Sequence, residues 1–156
     1  MPEYDFLTTW VLDASHEAVW DAIYHPERWP EWWPGVRAVR KLEEGDEDGV
    51  GSVYEQEWRG RVPYPVRFRV LTTRVELPHL IEGTADGELA GLGRWRFFAG
   101  RETAVTYEWH VRTTKPWMNV LSPIARPVFA ANHDWVMRRG GEGLARLLGA
   151  RLLAAD

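Results

Sequence analysis

His133 stands between Phe129 and Met137, one helical turn from each, in a stretch whose apolar residues recur at i, i+3, i+4 and i+7. An imidazole titrates near neutrality. On an apolar helix face it can hydrogen-bond an oxygenated ligand, or move a proton as a general acid or base. It can equally be a neutral core histidine tied to a backbone carbonyl or a tyrosine hydroxyl. The side chains that can join it are Gln56, Tyr107 and the indole N–H of Trp58 or Trp109. That is a thin set for acid–base work, and His133 is its one candidate catalytic residue. A buried polar group without a partner costs about 1–3 kcal/mol, so neighbours, water or ligand must satisfy these groups.

Other chemistries find little footing. The five histidines (16, 25, 79, 110 and 133) form no HxH, HxxH or HExxH spacing, and there is no cysteine. No local metal signature follows, and neither a metal nor a cofactor is expected. There is no G-x-S-x-G elbow, P-loop or G-x-G-x-x-G; Gly49-Val50-Gly51 and Gly91-Leu92-Gly93 read as turn or strand glycines. Arg59, Arg61, Arg67 and Arg69 interleave with Trp58 and Phe68, which should face the other way. With a net charge of −4, no nucleic-acid partner is expected.

The elements that must position these residues can be read from periodicity. Pro127 to Leu153 is expected as one long helix, with Phe129, His133, Val136, Met137, Gly140, Leu144, Leu147 and Leu148 on its apolar face. Asp134, Arg138, Arg139, Glu142 and Arg146 take the other face, and Trp135 should meet the 115–127 segment or lie exposed. Gly140, Gly141 and Gly143 either leave space for a ligand or allow close packing, since each costs roughly 1 kcal/mol against alanine. Tyr4–Leu12 reads as a strand. Ser15 caps a short helix carrying Val19, Ala22 and Ile23, and Pro26 limits it. In 25–35, three prolines and three tryptophans predict one helical turn and a rigid aromatic bend, rimming a cavity or plugging the core.

Strands are expected over 36–42, 51–59, 66–76, 79–86, 93–99 and 102–113, joined by short turns. The acidic run 43–49 reads as a solvated hairpin tip, and 115–127 as a broken, partly helical approach to the last helix. Short connections favour an antiparallel meander. Alternation turns Tyr54, Gln56, Trp58, Val66, Phe68, Trp95, Phe97, Tyr107, Trp109 and Val111 toward the helix, which adds Phe129, His133, Met137 and Leu144. A one-residue slip around Gln56 would turn Glu55 and Glu57 inward instead. The expected ligand-binding residues are Gln56, Trp58, Phe68, Trp95, Phe97, Tyr107, Trp109, Phe129, His133 and Met137.

The 156 residues fit one domain, 1–156, which should bury roughly 70% of the surface its unfolded chain exposes. Lack of cysteine fits a reducing cytoplasm. The acidic N-terminus carries no signal-peptide pattern, and no 18-residue apolar run marks a membrane span. Ten tryptophans stand out, serving either as core or as walls for a flat ligand.

Several stretches carry a resemblance. They are Ala14-Ser15-His16-Glu17-Ala18-Val19-Trp20-Asp21-Ala22-Ile23, Glu27-Arg28-Trp29-Pro30-Glu31-Trp32-Trp33-Pro34-Gly35-Val36 and Gly91-Leu92-Gly93-Arg94-Trp95. Val105-Thr106-Tyr107-Glu108-Trp109 and Asn132-His133-Asp134-Trp135-Val136-Met137 complete the set. Together they resemble the START-like, or Bet v 1-like (SRPBCC), superfamily, and within it the polyketide cyclase/dehydrase and lipid-transport proteins. The resemblance implies an α+β helix-grip fold. In it, a curved antiparallel sheet of about seven strands wraps a long C-terminal helix, with two short helices after the first strand and a deep cavity between sheet and helix. It implies apolar or aromatic ligands, but not one function.

The leading expectation is therefore a cytoplasmic binder of a small hydrophobic or aromatic, lipid- or polyketide-like molecule, without cofactor or integral membrane association. A homodimer is left open. The second expectation is an aromatase/cyclase or dehydratase using His133 with Tyr107 or Gln56. The third is a co-chaperone-like interaction module, with a filled cavity and an exposed apolar patch near Trp32 or Trp135.

Overall fold

The computed structural model describes residues 3–120 and 122–156. Strand β1 (Glu3–Leu12) is followed by α1 (His16–Tyr24) and a 3-10 helix (Pro26–Glu31). Six strands come next: β2 (Val36–Glu43), β3 (Val53–Trp58), β4 (Val66–Glu76), β5 (Leu80–Gly87), β6 (Leu89–Phe98) and β7 (Thr103–Thr113). Then come α2 (Pro116–Val120), α3 (Ser122–Leu148) and β8 (Leu152–Ala155).

The Ser15 hydroxyl accepts from the Ala18 amide at 3.1 Å, so α1 starts where the cap predicts. Pro26 opens the 3-10 helix, where its missing N–H costs nothing. Strands β2 to β7 form an antiparallel meander, and β1 closes on β7 with Tyr4 opposite Val111 and Phe6 opposite Trp109. The full order is β2-β3-β4-β5-β6-β7-β1-β8, one antiparallel sheet with α3 against its inner face. This is the helix-grip architecture.

Register around Gln56 follows the expected face. Gln56 is 4% exposed and Tyr54 is buried, while Glu55 and Glu57 point outward. Glu57 pairs with Arg67 at 2.6 Å, and Glu55 with Arg40 at 3.1 Å and Arg69 at 3.5 Å. The basic residues on this outer face are thus matched by acids on the neighbouring strand.

Several expectations need correction. The sheet has eight strands rather than about seven. The last helix begins at Ser122 and runs through Pro127, and it stops at Leu148 rather than Leu153. Gly149, at φ 63°, takes the left-handed conformation that ends helices. The chain then turns and Leu152–Ala155 adds to β1, with Trp10 opposite Ala155. Asp13 secures the turn, accepting from the Arg151 amide at 2.7 Å and its Nε at 2.9 Å. Leu147 is 51% exposed, and Ala145 takes the buried position instead. Trp135 meets neither of its expected partners: it packs on the main core, with the Arg139 guanidinium over its ring at 5.5 Å.

The main core joins Trp10, Trp29, Trp33 and Trp95 to Val19 and Ile23 of α1 and Leu144 of α3. The three helix glycines belong to this packing. A Cβ on Gly140 would stand 2.4 Å from Trp33, one on Gly141 would stand 3.1 Å from Trp10, and one on Gly143 would stand 1.8 Å from the Trp32 carbonyl. The close approach lets Trp33 Nε1 donate to the Val136 carbonyl at 2.9 Å, and Trp10 Nε1 to the Met137 carbonyl at 3.0 Å. Two buried indoles thereby dock α3 one turn beyond His133. Among the described residues, no helix is long and apolar enough to cross a membrane.

Candidate functional site

Between the sheet and α3, Tyr4 and Phe6 of β1 meet Phe129 and His133, while the aromatic side chains of β3, β4, β6 and β7 leave a space beneath the helix. They enclose a cavity of about 340 Å³, at the lower end of the roughly 300–1,000 Å³ of small-molecule sites. Its sheet wall is Trp58 and Gln56 from β3, Val66 and Phe68 from β4, Trp95 from β6, and Tyr107, Trp109 and Val111 from β7. Its roof is Phe129, His133, Val136 and Met137 of α3.

One end is closed by Trp29 and Trp33, which serve the core and the cavity together. Tyr24, Tyr54 and the acidic turn 43–49 lie on the same side, with the Tyr24 hydroxyl donating to the Asp48 carbonyl. The turn is therefore fastened to α1 and is not only a solvated tip. At the other end stand Tyr4 and Phe6 of β1, Val62 and Tyr64 of the β3–β4 loop, and Met118 of α2. Asn132 of α3 holds that loop by accepting from the Arg61 amide at 2.7 Å.

Of the expected ligand-binding residues, the structure brings Gln56, Trp58, Phe68, Trp95, Tyr107, Trp109, Phe129, His133 and Met137 to the cavity. Phe97 does not reach it. It faces inward, but nearer the α1 end, where Trp20 meets its ring at 4.8 Å. Leu144 likewise lies in the core, fully buried. Tyr4, Phe6 and Asn132 lie outside the expected set, while Trp29 and Trp33, expected to rim the cavity or to plug the core, do both. The alternation Tyr4, Phe6, Thr8, Trp10 along β1 was the available signal, and it puts all four on the inner face.

The cavity's polar atoms fall into two kinds. An indole N–H can only donate, so the Gln56 atom accepting from Trp58 Nε1 at 2.9 Å is its oxygen. Trp58 is therefore not a free donor, and the Gln56 amide N–H₂ is the group left over. His133 and Tyr4 differ. Both ring nitrogens of His133 and the Tyr4 hydroxyl are buried with no hydrogen-bond partner among the described residues. The His133 ring stacks on Phe6 at 4.0 Å and 11°. Burial lowers its pKa from 6.5 to about 4, so it stays neutral at physiological pH. Burial also raises the Tyr4 hydroxyl, opposed by Arg126 over its ring, and raises Tyr107 far above the usual phenol range. Both phenols stay protonated. The Tyr107 hydroxyl would lie 2.7 Å from a Cβ on Gly93, so the bare β6 backbone makes room for it.

Among the described residues, neither nitrogen of His133 has the carboxylate or carbonyl that orients a catalytic imidazole, and burial holds its pKa well below neutrality. Among the described residues, no three His, Asp or Glu side chains converge as metal ligands would.

Residues 5–149 match the family described as polyketide cyclase/dehydrase and lipid transport. The chain belongs to that family. Among curated proteins, none matches it in sequence. Solved structures share the fold of this polyketide cyclase/dehydrase and lipid-transport member at low identity. The di-domain ARO/CYC BexL from the BE-7585A biosynthetic pathway is 19% identical with a TM-score of 0.74. The match covers 96% of this chain and 51% of BexL, so the chain spans about half of that protein. A START superfamily protein from Mycobacterium smegmatis is 14% identical with a TM-score of 0.74, covering 92% of this chain and 98% of that one. The Zhui aromatase/cyclase from Streptomyces sp. R1128 is 15% identical with a TM-score of 0.62, covering 94% and 96%.

Proposed function

We propose that this protein binds a small hydrophobic or aromatic molecule, lipid- or polyketide-like, in the cavity beneath α3. The observation that carries this reading is the cavity itself, about 340 Å³ walled by Trp58, Phe68, Trp95, Tyr107 and Trp109. Aromatic walls offer large apolar contact and ring stacking to a flat ligand. Membership of a family described by polyketide cyclisation and lipid transport supports the same class.

Titration with naphthalene-class aromatics, followed by tryptophan fluorescence, tests it. Saturable quenching is expected, since five of the ten tryptophans (29, 33, 58, 95 and 109) line the cavity. No saturable change across a series of such probes, together with no ligand retained in native mass spectrometry, overturns it.

The aromatase/cyclase reading is favoured by the solved ARO/CYC relatives. A neutral His133 with neither nitrogen oriented suits holding a ligand better than moving its proton. An interaction module expects a filled cavity and an exposed apolar patch near Trp32 or Trp135. Here the cavity is open, Trp32 is buried and Trp135 is half-buried.

A further inference from the structure

A surface helix normally turns one apolar stripe to the core and polar residues to water. The first half of α3 does not. Phe129 and Val136 roof the cavity, yet Ile124 and Val128 also stand in solvent, 78% and 55% exposed. Val120 and Trp117 of α2 carry the ridge on, at 77% and 45%. Four of the ten large hydrophobic side chains exposed among the described residues therefore crowd into twelve positions, 117–128. Trp117 meets the Tyr64 ring edge-on at 5.2 Å, so the β3–β4 loop borders the same ridge. A contiguous exposed patch of this kind marks a contact surface.

Charge sets this end of the molecule apart. On the outer face of the sheet, Arg37, Arg40, Arg67, Arg69, Arg94 and Arg96 each meet a glutamate, at 2.6 to 3.6 Å. Around the ridge, Lys115 pairs with Glu88 at 3.0 Å. Arg59 and Arg61 of the loop are exposed and meet no carboxylate among the described residues. Arg126 of α3 is exposed too, and donates to the Glu3 backbone carbonyl at 2.9 Å rather than to an acid. The chain has 23 acidic residues, but none between Glu57 and Glu76 and none between Glu108 and Asp134. A protein of net charge −4 thus presents one apolar ridge rimmed by unmatched cations.

We infer that this ridge is a peripheral docking surface for an anionic lipid bilayer. Its side chains protrude instead of lining a groove, so a bilayer, which yields around them, fits better than a folded partner. Trp117 and Tyr64 are amphipathic rings of the kind that settle at the lipid–water boundary. The unmatched arginines meet headgroup phosphates there. A second copy related by a twofold axis would set each arginine near the cations of its counterpart, which disfavours that occupant. Contact with the bilayer needs nothing in the cavity, so the inference goes beyond the ligand-binding reading and does not rest on it.

Co-sedimentation of the full chain with vesicles tests it, using phosphatidylcholine alone and phosphatidylcholine with about one-third phosphatidylglycerol. The wild type should bind the anionic vesicles about tenfold tighter than the neutral ones, and added salt should release it. Val120→Ser with Ile124→Ser should weaken binding to anionic vesicles about tenfold. Arg59→Gln with Arg61→Gln should do the same there and leave neutral vesicles unchanged. Leu7→Ser, also exposed but on the outer face of β1, should change nothing. Every replaced side chain is exposed, so folding should survive, and unfolding midpoints verify that. Brominated lipid should quench tryptophan emission in the wild type and not in Trp117→Phe, since the other nine tryptophans are buried or half-buried. Absence of binding to anionic vesicles overturns the proposal. So does equal binding to both vesicle types, binding that the serine variant keeps, or quenching that persists in Trp117→Phe. A dimer in sedimentation equilibrium that the serine variant splits, with no vesicle binding, overturns it in favour of a second copy. In each of those outcomes the cavity reading stands or falls separately, on the naphthalene-class titration.

Discussion

At the scale of single residues, the site is defined by hydrogen bonds that are not made. His133 has a folded-state pKa of about 4 against 6.5 when unfolded. Between those values the unfolded chain binds the proton and the native one does not, so this contribution favours folding as pH rises. It is fully present above about pH 6.5 and is lost as pH falls toward 4, to a limit of about 3 kcal/mol. We expect urea midpoints to show His133→Phe losing less stability than the wild type between pH 7 and pH 4. Equal losses would remove burial as the cause of the shift. His133 was legible as a candidate because its place in the helical stripe is a matter of counting. Tyr4 was not, because a hydroxyl near a chain end carries no mark of burial until β1 is paired with β7. Trp58 misled for a related reason: its N–H is spent on a residue two positions away on the same face.

At the scale of elements, the glycines of α3 decide where the helix can sit. Gly143→Ala should destabilise the protein by about 1–3 kcal/mol, since its Cβ meets the Trp32 carbonyl and backbone yields poorly. Gly140→Ala meets the Trp33 ring, which is 1% exposed and hydrogen-bonded to Val136, and should cost a similar amount. Gly149→Ala should cost about 1–2 kcal/mol through its positive φ alone, there being open space around it. Chemical denaturation of the three variants orders them. A stabilised Gly143→Ala, as helix propensity alone predicts, would show that the close approach is not real. Strands β2 to β7 were legible because polar and apolar residues alternate along them. Strand β8 was not, because Leu152 and Leu153 continue the apolar character of Leu147 and Leu148, and only Gly149 marks the break. Pro127 misled about the helix start; α3 accommodates it within its second turn.

At the scale of the whole molecule, stability and binding draw on the same space. Filling the cavity from its wall should raise one and abolish the other. Val111→Phe, on the inner face of β7 beside the unpartnered Tyr4, should keep or raise the unfolding midpoint, by up to about 2 kcal/mol, while naphthalene affinity is lost. Retained affinity would place the binding site elsewhere. The two indole bonds onto Val136 and Met137 also divide α3 unequally. Beyond them the helix is wedged among buried rings; before them it carries Pro127 and exposes Ile124 and Val128. Amide hydrogen exchange should therefore change along this one helix, fast on the stretch leading to Asn132 and slow after Met137. The roof would then behave as a door hung at one side, and traffic in and out would need only its loose half to swing while the tryptophan end stays latched.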